Sequence, residues 1–62
     1  MDRTDFRLLV GGEAMAVALE DRVLGVGREF LPGFALDVLD GREPTPAYWH
    51  WLAEQWEKMI DG

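Results

Sequence analysis

No cysteine occurs anywhere in this chain of 62 residues, and that combination narrows its folding options more than any motif does. A chain this short buries only about 60% of the surface its unfolded form exposes, so its stability is marginal unless something reinforces the core. Small domains usually add disulfides, a metal, large aromatics or a partner chain. Disulfides and thiolate metal sites are chemically impossible here. Large aromatics and self-association remain. The length suits one small domain over residues 1–62.

The aromatic supply is concentrated near the C-terminal end. The stretch AYWHWLAEQW, residues Ala47 to Trp56, holds all three tryptophans and the only histidine, tyrosine and glutamine. Its spacing predicts a helix over residues 45–61. Thr45 can cap it, and Pro46 at the first helical position loses no hydrogen bond. Tyr48, Trp49, Leu52, Ala53, Trp56, Met59 and Ile60 then fall on one face, while His50, Glu54, Glu57 and Asp61 fall on the other. Glu54 and Lys58 stand one turn apart in the favourable order for an ion pair. Trp49 and Trp56 read as folding anchors. Trp51 lies outside the stripe, beyond Tyr48 and beside Ala47.

Upstream, residues 5–41 predict a β-meander. Phe6, Leu8 and Val10 alternate with Arg7 and Leu9 as a half-buried strand does. Gly11-Gly12 is a two-residue hairpin signal. Met15, Val17 and Leu19 then alternate with alanines, which gives one large and one small face. The acidic turn near Glu20 leads into Val23–Leu31, and Pro32-Gly33 leads into Phe34–Asp40. Residues 33–40 also satisfy a helix, with Gly41 as its stop, so that segment stays open between the two. The prolines of GREPTP mark an elbow before the C-terminal helix. The expected fold class is α+β, a small antiparallel meander of three to four strands packed against one C-terminal helix.

Twelve acidic and six basic side chains give a net charge of −6. Nucleic-acid affinity rests on neutralising phosphates with Lys and Arg, so direct nucleic-acid binding is not expected. A partner protein with a basic or apolar surface suits the charge better. The longest apolar run, Ala14–Leu19, is six residues against the roughly 20 that span a bilayer, and the first residues lead into no apolar signal segment. A cytoplasmic location without membrane contact is the expectation.

Candidate chemistry is sparse. Gly25-Val26-Gly27 lacks the third glycine of a dinucleotide fingerprint, and no βαβ unit fits the length. The chain has no serine, so serine and cysteine nucleophiles are both absent. His50 and Glu54 stand one turn apart, as metal ligands or a proton-transfer pair can, but on the face that reads as solvated. No catalytic residue, metal site or cofactor is assigned. Trp51, with Tyr48 and Ala47, forms a candidate docking patch, because Trp and Tyr are enriched at binding hot spots. Asp37, Asp40 and Glu43 form the one local acidic cluster. The sequence thus predicts a small acidic non-enzymatic protein-binding module, a regulator, inhibitor or accessory subunit of a larger assembly, docking through an aromatic helix surface. A second copy, in a homodimer, is one partner it allows. The alternative is a nucleic-acid mimic that blocks a basic nucleic-acid-binding protein through its carboxylates.

Overall fold

The computed structural model describes residues 1–61, and among them there is no strand. Four helices follow one another: α1 (Arg3–Val10), α2 (Glu13–Leu24), α3 (Gly33–Leu39) and α4 (Pro46–Asp61), with a single 3₁₀ turn at Arg28–Phe30. The expected α+β fold with a β-meander over residues 5–41 is therefore corrected to an all-helical one. Each misread segment has an identifiable cause.

Helix α1 begins at Asp2, whose side chain accepts a hydrogen bond from the Asp5 N–H at 2.9 Å. That cap satisfies one of the backbone donors a helix start leaves free. It ends at Gly11, at φ 104°, where the Arg7 carbonyl accepts from both the Gly11 and Gly12 N–H groups. The Gly-Gly pair is thus a helix stop rather than a hairpin turn, and both glycines hold positive φ. With a period of 3.6, Phe6 and Val10 share the buried face and Leu8 points the other way.

In α2, Ala16, Leu19 and Val23 are buried, while Met15 and Val17 are exposed. The expected face of large residues is split around the helix. Alanine is the best helix former and a poor strand former, and that propensity decides the segment over the alternation. The acidic turn expected at Glu20 lies inside this helix. Gly25 and Gly27 belong to the turn that follows it, not to a strand.

Residues 33–40, open between strand and helix, hold α3 (Gly33–Leu39) and its cap, Asp40. Gly41, at φ 95°, ends it, with its N–H bonded to the Val38 carbonyl. After the proline elbow, α4 starts at Thr45, whose hydroxyl and carbonyl oxygens both accept from the Tyr48 N–H. Helix α4 packs against α1, α2 and α3. Phe6, Ala35, Tyr48 and Leu52 sit at the fully buried centre of a core drawn from all four helices, with Leu31 joining from the 3₁₀ turn. Trp49 completes it, its ring 5.6 Å from Phe6 and 5.0 Å from Tyr48.

Candidate interaction surface

Of the three side chains expected to form a docking patch, Ala47 is exposed, Trp51 is half-buried and Tyr48 is fully buried. No exposed Tyr48–Trp51 surface exists. A helix laid on one sheet buries one stripe, whereas α4 is wrapped by three helices, and the buried arc extends past Tyr48. Trp51 meets Phe34 of α3 edge-on at 5.8 Å and Tyr48 at 6.2 Å. Trp56, expected in the core, is half-buried against its rim.

Tyr48 carries a polar group into the core, and α2 meets it there. Its hydroxyl donates to Glu20 Oε1 at 2.7 Å. Burial, together with the adjacent carboxylate, pushes the Tyr48 hydroxyl far above the usual phenol range. Among the described residues no buried side-chain polar atom lacks a partner.

The acidic cluster is partly neutralised. Asp37, Asp40 and Glu43 are all exposed. Asp37 Oδ1 accepts from Arg42 Nη1 at 3.0 Å, and Asp40 Oδ1 from Arg28 Nη2 at 3.4 Å. Among the described residues Glu43 has no cation within 4 Å. On the polar face of α4, Glu54 lies 3.2 Å from His50 Nε2 and makes no ion pair with Lys58, so the expected Glu54–Lys58 pairing is replaced by a His50 contact. No group of three or more metal-ligating side chains comes together among the described residues.

Two features that the sequence reading passed over stand out on the surface. Leu8 is 77% exposed and lines a concavity of about 340 Å³ at the α1–α2 turn, with Thr4, Arg7, Gly11, Gly12 and Glu13. A Cβ added at either glycine would meet nothing within 4 Å, so bare backbone forms part of its open lining. Arg3 Nη2 stands 2.6 Å from Glu13 Oε1, and Arg7 Nε pairs with the other oxygen of the same carboxylate. Two guanidinium groups share one anion here, whereas Arg28 and Arg42 each have one of their own. The two arginines thus stand together beside the recess, with Glu13 as their shared counter-ion.

The second feature is Phe30, 71% exposed on the 3₁₀ turn. The turn is pinned on several sides. Gly27 takes φ 119°, the Phe30 N–H bonds to the Gly27 carbonyl at 3.1 Å, and the Leu31 N–H bonds to the Arg28 carbonyl at 3.2 Å. Leu31 is buried next to it. The ring faces outward while Leu31, next in the chain, is anchored in the core. A helical period would have placed Leu8 outside, but nothing in the local pattern separates Phe30 from a core phenylalanine.

Chemically, these elements offer an apolar concavity with guanidinium groups on its rim and an aromatic ring on a braced turn. Among the described residues no helix is long and apolar enough to cross a membrane. The chain matches no protein-family model, no curated protein and no solved structure.

Proposed function

We propose that this chain is a small acidic protein-binding module, a regulator, inhibitor or accessory subunit of a larger assembly, that acts by contact and not by catalysis. The observation that supports this reading most is the display of Leu8 and Phe30, 77% and 71% exposed, on braced backbone. Aromatics lead among hot-spot residues, and a large apolar side chain on a fixed backbone loses little freedom when a partner covers it. The docking surface moves accordingly, from the buried Tyr48 to α1 and the 3₁₀ turn. The charge of −6 favours a partner whose apolar pocket has basic surroundings.

A photoreactive phenylalanine analogue at position 30, used in the source cell, tests the reading. A discrete protein adduct is expected, suppressed by excess unlabelled chain but not by the Leu8→Gln/Phe30→Gln double variant. Equal suppression by the double variant overturns the proposal. Salt separates it from the charge-mimic alternative. Binding carried by carboxylates falls steeply between low and moderate ionic strength, while apolar docking holds.

A further inference from the structure

We infer that the concavity at the α1–α2 turn receives Phe30 of a second copy of this chain. The inference rests on the binding-module reading and deepens it by naming a partner. Each copy carries one projecting ring and one apolar recess, and Phe30 does not line the recess of its own chain. Size allows the fit: a closed cavity of about 150 Å³ takes up benzene, and the recess measures about 340 Å³. Charge favours it too. Glu29, exposed and next to Phe30, would enter where two arginines share a single carboxylate. Insertion covers Leu8 and Phe30 together, the two most exposed large apolar side chains of the molecule. Ring and recess are different surfaces, so the contact either closes reciprocally in a pair or runs head to tail.

Sedimentation equilibrium of the purified chain up to about 1 mM tests this, a range in which even a millimolar contact populates. The wild type is expected to form species of two or more copies. Phe30→Gln and Leu8→Gln, which leave the net charge unchanged, are each expected to weaken association about thirty-fold, as loss of a hot-spot side chain does. Their circular dichroism should match the wild type, since both side chains are exposed. Mixed together, the two variants should form a 1:1 complex that neither forms alone, because one supplies the ring and the other the recess. Glu29→Arg gives a second readout that leaves Leu8 and Phe30 intact. It takes the net charge from −6 to −4 and so relieves overall repulsion, yet it is expected to weaken association by opposing the arginine rim. A wild type that stays monomeric, variants that fail to complement, or a Glu29→Arg chain that associates more tightly each overturns the second-copy contact. If the purified chain is monomeric while the position-30 adduct still depends on Leu8 and Phe30, the binding-module reading stands and only this partner falls.

Discussion

At the scale of single residues, the hydrogen bond from Tyr48 to Glu20 ties a fully buried side chain of α4 to α2. Tyr48→Phe removes the donor and leaves the half-buried Glu20 to water, a loss of about 1 kcal/mol readable by urea unfolding. The same bond sets an alkaline limit. In the unfolded chain the phenol ionises near pH 10, and in the folded chain it is held neutral to higher pH. The stability this contributes is fully present below about pH 10 and is lost as pH rises above it, because only the unfolded state releases the proton. The urea midpoint should therefore fall between pH 8 and pH 11 in the wild type and fall less in Tyr48→Phe. An identical fall in both would place the alkaline sensitivity elsewhere. The tryptophans rank by burial. Trp49, 7% exposed and packed against Phe6 and Tyr48, should cost about 3–5 kcal/mol when cut to Ala, with Trp51 and Trp56, both half-buried, costing clearly less. Comparable losses at all three positions would contradict that ranking.

At the scale of elements, α4 was legible because three independent signals agree: a Thr-Pro start, a continuous apolar stripe and a polar opposite face. Helices α1 and α2 were not, since a run such as Phe6–Val10 is too short to separate a period of 2 from one of 3.6. Gly11-Gly12 serves a hairpin and a helix stop equally well in sequence, and only the backbone distinguishes them. The same ambiguity hid part of the candidate surface: as a strand residue Leu8 shares the core face of Phe6, and as a helix residue it lies opposite. Tyr48 erred in the other direction, because how far around α4 its neighbours reach is a property of packing. Glycine substitutions test these assignments. Gly11→Ala forces a side chain into the left-handed region and should destabilise by about 1 kcal/mol or more. Gly33→Ala, at the start of α3 with nothing within 4 Å of its Cβ, should stabilise by up to about 1 kcal/mol. Thermal melts of the two variants should shift in opposite directions, and a shared direction would undo the helix boundaries drawn here.

At the scale of the whole molecule, the accessible surface is 4138 Å² and the Cα radius of gyration 10.9 Å. A folded monomer of this mass and length is expected to show about 4,000 Å² and about 10.6 Å. The chain is thus compact without a second copy, and any association through Leu8 and Phe30 is an addition to a finished core. That core depends on α4, which supplies Tyr48, Trp49, Leu52 and Ala53. A chain of residues 1–43 should show little helical dichroism, because short helices stripped of their packing partner are unstable in water. Retention of most of the signal would show that α1 to α3 stand alone. The contact of Phe6 with Trp49 also has a meaning in time. The two residues are 43 positions apart, and at about 5–20 residues per second the ribosome takes roughly 2–9 s to make the second after the first. Throughout that interval the nascent chain lacks the Trp49 ring that packs on Phe6, and α1 has only the residues made before α4 to cover it. Its vulnerable period is set by the clock of translation, and a slow codon between α3 and α4 lengthens it.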